Sequence, residues 1–315
     1  MLALLSGAAF GTSGTFASSL LAVGWTSGAA VTARVVVAAL VLTAPAVMAL
    51  RREGRSLTQG SRSMTIYGLV AVAGCQLCFF NAVEHLSVAV ALLIEYSGVL
   101  LVVAWLWIRQ GHRPRRLTTA GALVALAGLA LVLQIAGEGR LDPAGVLWGL
   151  GAAVGLAVYF VISAGDEDAL PPLVVAWGGL AVGGVALLAA AAIGILPLEA
   201  PTVDVTLLDT QVSWLVPVLG LSVLAAAFAY VAGIVSARLL GAKIASFVGL
   251  TEVLFAVVFA WVLLGQSLSA AQVVGGVLVV AGIALVRVDE MRAGGDATVV
   301  EAVEAAPARD LVPLP

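Results

Sequence analysis

Ten apolar runs, each close to the ~20 residues a helix needs to cross a lipid bilayer, dominate this chain of 315 residues. They fall at about 2–22, 28–50, 64–83, 86–108, 117–136, 143–163, 173–195, 213–236, 243–264 and 270–288, with short polar breaks between them. The hydrocarbon core offers no partner to a backbone amide, so runs this long and continuous can satisfy their polar groups only as helices. The expectation is an all-α membrane protein with ten transmembrane helices. Composition agrees, since 62% of residues are hydrophobic and 10% charged, more apolar surface than one soluble core can bury. The first run lacks a basic flank and reads as a membrane helix, not a signal peptide.

Charge gives the orientation, because loops rich in Lys and Arg stay cytoplasmic. Alternating the ten runs puts Arg51, Arg52, Arg55, Arg62, Arg109, Arg113, Arg115, Arg116, Arg238, Lys243, Arg287, Arg292 and Arg309 on one side and only Arg140 on the other. Both termini are therefore expected in the cytoplasm, with the acidic segment Gly165–Pro172 the one loop that breaks the trend. Residues 196–211 form the longest outer loop, and the Ala/Val/Glu/Pro composition of 289–315 predicts a disordered cytoplasmic tail. A formal net charge of −3 leaves no concentrated basic surface for nucleic acid. The two cysteines, Cys75 and Cys78, lie inside an apolar run, where a small buried pair one turn apart is a simpler reading than redox or metal chemistry.

The chain also repeats itself. Trp107 and Trp261 are 154 positions apart, and the same shift aligns Gly111 with Gly265, Gly121 with Gly275, and Ala127-Gly128 with Ala281-Gly282. Near the start of each half, Gly7-Ala8-Ala9-Phe10-Gly11 resembles Gly151-Ala152-Ala153-Val154-Gly155. The expected units are 1–140 and 141–288. Five helices is an odd number, so the second unit enters the membrane from the opposite side, and two inverted five-helix repeats are a common architecture of secondary transporters.

The run Leu86-Ser87-Val88-Ala89-Val90-Ala91-Leu92-Leu93-Ile94-Glu95-Tyr96, the segment Thr251-Glu252-Val253, and Leu264-Gly265-Gln266-Ser267-Leu268-Ser269 resemble the EamA-type branch of the drug/metabolite transporter superfamily. The resemblance covers essentially residues 1–288. The first run is also similar to exporters of the threonine/homoserine type. The resemblance implies a carrier in the plasma (inner) membrane that exports amino acids or related metabolites. The family commonly has proline where this chain has Gly98 and Val253, so a bend there would have to come from glycine flexibility or be absent.

An ionisable group within the hydrocarbon normally faces a cavity or a partner. Glu95 and Glu252 are the two deepest acids, each about nine residues into its run and so about 13 Å deep at 1.5 Å per residue. They are near-equivalents in the two halves. They are candidates to bind a proton or a substrate ammonium, against the simpler reading of carboxyls that tie helices together. Tyr96, Tyr159, Tyr230, Gln76 and Asn81 are candidates to line the same cavity, although taken singly each such residue is more often packing or interhelical glue. Arg34 could attract a carboxylate, but an arginine snorkelling from a helix end is the commoner case. Trp105, Trp107 and Trp261 read as interfacial anchors, and Glu84 and His85 as a solvated turn. Gly7/Gly11 and Gly151/Gly155 suit helices that rock against each other. The stripes Gly121/Gly128 and Gly275/Gly282 suit either scaffold packing or a homodimer contact.

Secondary transport of a small metabolite, proton-coupled or facilitative, is the leading reading. An intramembrane enzyme lacks an HExxH helix or paired acidic motifs, and a channel or lipid translocator lacks a repeated filter-like loop. No cofactor motif and no GxxxxGK[ST] nucleotide loop occurs.

Overall fold

The computed structural model describes residues 1–54, 60–111, 113–135, 141–165, 170–265 and 267–304. Within these the apolar runs are helical. Seven helical stretches are long and apolar enough to span a membrane: Ser27–Glu53, Ser61–His85, Val88–Arg109, Pro143–Ser163, Pro172–Ala192, Leu215–Gly249 and Ala270–Arg292. Of these, Val88–Arg109 is interrupted at Ser97, and Leu215–Gly249 is two helices joined across a kink at Gly241 (φ 76°, ψ 158°). Shorter apolar helices cover α1 (Leu2–Gly11), α2 (Ser13–Leu21), α8 (Arg116–Val132) and α13 (Thr251–Leu264). The chain is thus an integral, multi-pass, all-helical membrane protein.

Local chemistry sets the helix ends. At the start of α3 (Ser27–Glu53) the Thr26 hydroxyl accepts from the Ala29 amide at 3.2 Å. Ser87 does the same for Val90 at the start of α6 (Val88–Tyr96), and Asp142 for Ala144 at the start of α9 (Pro143–Ser163), each satisfying an orphan first-turn donor. Gly54 and Gly111, with φ of 61° and 73°, close α3 and α7 (Gly98–Gln110) in the left-handed conformation that glycine adopts without strain.

Three helices break where a hydroxyl turns back onto its own helix. Thr12 donates to Ala9 O at 2.6 Å between α1 and α2, and Ser97 to Ile94 O at 2.6 Å between α6 and α7. Thr251 donates to Val248 O at 2.7 Å where α12 (Ala229–Gly249) passes into α13. Such bonds compete with the helical ladder and bend it. The breaks beside Gly98 and Val253 therefore exist without proline. Gly98 serves close packing instead. A Cβ there would stand 2.5 Å from Ala153 O, so glycine lets α7 start against α9.

Two stretches have the wider π-helical turn. Tyr67–Gly74 joins α4 (Ser61–Ile66) to α5 (Cys75–His85), and Gly220–Phe228 joins α11 (Leu215–Leu219) to α12. Helix α1 packs on α12 and α13, while α9 packs on α5, α6 and α7. Helix α3 lies against α10 (Pro172–Ala192), and α8 against α14 (Ala270–Glu304). The glycine stripes meet in that last seam, where a Cβ on Gly128 would come within 2.6 Å of Gly275 O and one on Gly121 within 2.8 Å of Gly282 O. They are scaffold packing within one chain.

The helix ends that carry the cations gather on one side. A Cβ on Gly60 would meet the Leu170 side chain, Arg238 Nη2 donates to Leu170 O at 2.7 Å, Lys243 pairs with Glu290, and Thr118 donates to Asp289 at 2.5 Å. The turns at the other ends of the helices hold no Lys or Arg among the described residues. Arg55, Arg140 and Arg309 lie outside those residues, as do Asp166, Glu167 and Asp168 of the acidic loop.

Two regions differ from expectation. The long loop contains an antiparallel hairpin, β1 (Val205–Leu207) with β2 (Thr210–Val212), turned through Leu208 and Asp209 at φ of 50° and 59°. Val205 seats it in an apolar cluster with Leu20 and Trp25. Helix α14 continues to Glu304, past the expected start of the tail, with no proline to interrupt it but across Gly294 and Gly295.

Candidate functional site

A cavity of about 500 Å³ lies among α1, α2, α3, α5, α6, α9, α12 and α13. Its lining runs from Leu21, Ser27, Val83 and Val88 at helix ends to Ala3, Ser236 and Ala245 toward the opposite ends. Both deep carboxyls face it from beside helix breaks. Glu95 is next to last in α6, just before the Ser97 bend, and Glu252 is second in α13, just past Leu250. The bends turn these carboxyls toward the interior.

Each carboxyl has a neutral neighbour. The Cys75 thiol donates to Glu95 Oε1 at 3.3 Å and also reaches Ala152 O on α9 at 3.4 Å. The Tyr96 hydroxyl faces the Glu252 carboxyl. Arg34 lines the same cavity. Its Nη2 donates to Ala225 O at 2.9 Å, and its guanidinium lies 5.6 Å from the centre of the Phe10 ring. The snorkelling expectation for Arg34 is thereby corrected: it sits well inside α3, and its head group turns toward the protein interior.

Aromatic rings close one flank. Tyr67, Tyr159 and Tyr230 stand 5.7 to 6.4 Å apart between centroids, with Phe10 5.1 Å from Tyr230 and Phe160 4.8 Å from Tyr159. A Cβ on Gly233 would collide with the Tyr159 hydroxyl, so glycine makes room there for the ring of an opposing helix. Among the described residues no group of three or more His, Cys, Asp or Glu could hold a metal ion.

A family model described as the EamA-like transporter family matches residues 1–134 and 143–288. The chain belongs to the EamA-like transporter family. It is 34% identical over 104 residues to an "Uncharacterized transporter YwfM" of Bacillus subtilis (strain 168), a match covering 33% of this chain and 35% of that relative's length. A solved structure described only as "Crystal structure of protein" superposes with a TM-score of 0.74 at 22% identity, covering 92% of this chain and 96% of the other. That likeness concerns the fold.

Of the residues singled out in the sequence of this EamA-like chain, Glu95, Tyr96, Gln76, Tyr159, Tyr230 and Glu252 all line the one cavity. Asn81 does not, and its amide nitrogen donates to Leu77 O of its own helix at 2.7 Å. Glu84 is exposed, whereas His85 pairs with Asp142 at 3.0 Å across the gap between α5 and α9. Trp105, Trp107 and Trp261 are exposed near helix ends, as anchors should be. Sequence reasoning missed the place of Cys75 and Phe10 in the cavity lining, and of Tyr67, which is buried behind it against Tyr159 and Tyr230; all are neutral side chains inside apolar runs. One available signal was the CxxC spacing, which sets Cys75 against Glu95 while Cys78 packs on α9 at Gly151.

Proposed function

We propose that this protein is a secondary carrier of the plasma (inner) membrane that exports amino acids or related small metabolites through the central cavity by alternating access. The observation that carries the reading is the pair of carboxyls, Glu95 and Glu252, offered to one cavity from bends in the two halves of the chain. A carboxyl held away from bulk water can trade its proton for the ammonium of a cargo, which couples export to proton entry. The apolar remainder of the lining suits the body of a small metabolite.

The carrier has ten transmembrane helices arranged as inverted repeats, 1–140 and 141–288, with residues 289–315 and both termini in the cytoplasm. Pairings of equivalent elements support this. Helix α1 packs on the third and fourth helices of the second half, and α9 on those of the first. The π-helical stretches begin at Tyr67 and Gly220, 153 positions apart, nearly the shift that aligns the paired tryptophans. The gathering of cations at one end supports the orientation through the positive-inside rule.

The test is efflux from proteoliposomes loaded with a panel of amino acids, aromatic compounds and cationic drugs, with and without an inward proton gradient. Saturable efflux of amino acids, accelerated by the gradient, is expected. Efflux confined to the drugs would reject the amino-acid assignment, and efflux no faster than from protein-free liposomes for every compound would reject the carrier.

A further inference from the structure

We propose that Arg34 binds an anionic group of the cargo, so that the cavity selects dipolar molecules bearing a carboxylate or similar oxyanion as well as an amine. The inference rests on the carrier reading above and concerns how the same cavity chooses what it carries.

A guanidinium within the hydrocarbon span is costly unless it is paired or hydrated. Arg34 has no ion pair among the described residues; its protein partners are a backbone carbonyl and an aromatic face. Its Nε finds no hydrogen-bond acceptor at all. Two carboxyls share the cavity and lie within electrostatic reach of it, yet neither closes on it. Each group has a different neighbour. Ala225 O, in the second π-helical stretch, holds one guanidinium nitrogen, Cys75 holds Glu95, and Tyr96 faces Glu252. Each of the three ionisable groups thus has its own neutral partner, and no salt bridge joins Arg34 to either carboxyl among the described residues.

A cavity of this kind is preorganised for an occupant that brings the missing charges. A cargo ammonium answers Glu95 or Glu252, and a cargo carboxylate answers Arg34, whose planar donors match a carboxylate in geometry as well as charge. Phe10, whose ring centre lies 5.6 Å from the Arg34 guanidinium and which meets Tyr230 edge-on, then supports the guanidinium and offers apolar surface to the cargo's body. A purely structural Arg34, tying α3 to the π-helical stretch, would need only the bond to Ala225 and would be indifferent to the charge of the cargo.

Equilibrium binding to the purified full-length protein separates these readings. The probes are leucine, phenylalanine and threonine, each as the free acid and as its primary carboxamide, which keeps the shape and the amine but removes the negative charge. In the unaltered protein the acids should bind about ten- to hundredfold tighter than their carboxamides, the range expected of one charged hydrogen-bonded contact. In Arg34→Gln the acids should weaken to the level of the carboxamides, whose own affinity stays unchanged, and Arg34→Lys should keep part of the preference. Equal binding of acid and carboxamide by the unaltered protein overturns the proposal and leaves the carrier reading in place. So does a loss of both probe classes in equal proportion in a folded Arg34→Gln or Arg34→Lys variant. Failure of all six probes to bind the unaltered protein rejects the amino-acid reading itself, and the role of Arg34 with it.

Discussion

Gly275 and Gly276 are neighbours in α14, and replacing each by alanine should move stability in opposite directions. A Cβ on Gly275 would stand 2.5 Å from Gly128 O and 2.7 Å from the Val132 amide nitrogen, whereas one on Gly276 would meet only Leu254 Cδ2 at 3.7 Å. Ordinary contact begins near 3.4 Å, so one methyl at Gly275 forces α8 and α14 apart by roughly 0.9 Å, the difference between 3.4 and 2.5. A gap of that size forfeits roughly a quarter to a half of the dispersion energy of each atom pair along the seam, and overpacking of this kind costs about 1–3 kcal/mol. Removing a glycine from a helix interior returns about 0.5–1 kcal/mol. Gly275→Ala should therefore lose about 0–2.5 kcal/mol net, while Gly276→Ala gains about 0.5–1 kcal/mol. Thermal unfolding of the two purified variants, followed by loss of the monodisperse peak in detergent, gives the comparison. Equal midpoints, or a less stable Gly276→Ala, would refute the reading of the seam as backbone-to-backbone packing.

Three further outcomes follow from the site and its orientation. Glu95→Gln keeps shape and hydrogen bonding but removes the charge, and should lose transport or its pH dependence at normal expression; wild-type flux with an unchanged pH profile would show Glu95 to be a tie between helices. Cys75→Ala should shift the pH profile of transport by freeing the Glu95 carboxyl, with Cys75→Ser restoring it because a hydroxyl also donates; identical profiles in all three proteins would remove Cys75 from the site. With Cys75 and Cys78 replaced by serine, a cysteine at Thr210, exposed on the hairpin, should react with an impermeant thiol reagent in intact cells while one at Ser61 does not, and the reverse labelling would invert the topology.

The helices were legible because lipid is an unforgiving solvent: a run such as 143–163 has no alternative to a helix once it leaves water. What the sequence conveyed poorly was which face of each helix looks inward. Helices here are apolar toward lipid and toward one another, so the periodicity that marks a buried face in a soluble protein is weak. The hairpin was hidden for another reason. Its turn places Leu208 and Asp209 at positive φ, without the Asn-Gly or Asp-Gly pair that announces such a turn.

The site divides along the same line. Glu95 and Glu252 stand out in sequence because a charge inside an apolar run demands an explanation, and the structure brings both to one cavity. Arg34 carries the same signal, but its place near the start of a run made snorkelling the simpler account; only its bond to Ala225, 191 positions away, reveals that it turns inward. Phe10 carries no signal, and Cys75 only the weak one of its CxxC spacing, since a thiol and a phenyl ring are at home in lipid. Their importance is relational. Cys75 matters because its thiol occupies Glu95 Oε1, and Phe10 because it lies between Arg34 and Tyr230. The groups that contact the charges of this cavity are therefore those a hydropathy reading passes over, and substitutions there should alter which cargo is accepted before they alter whether the protein folds.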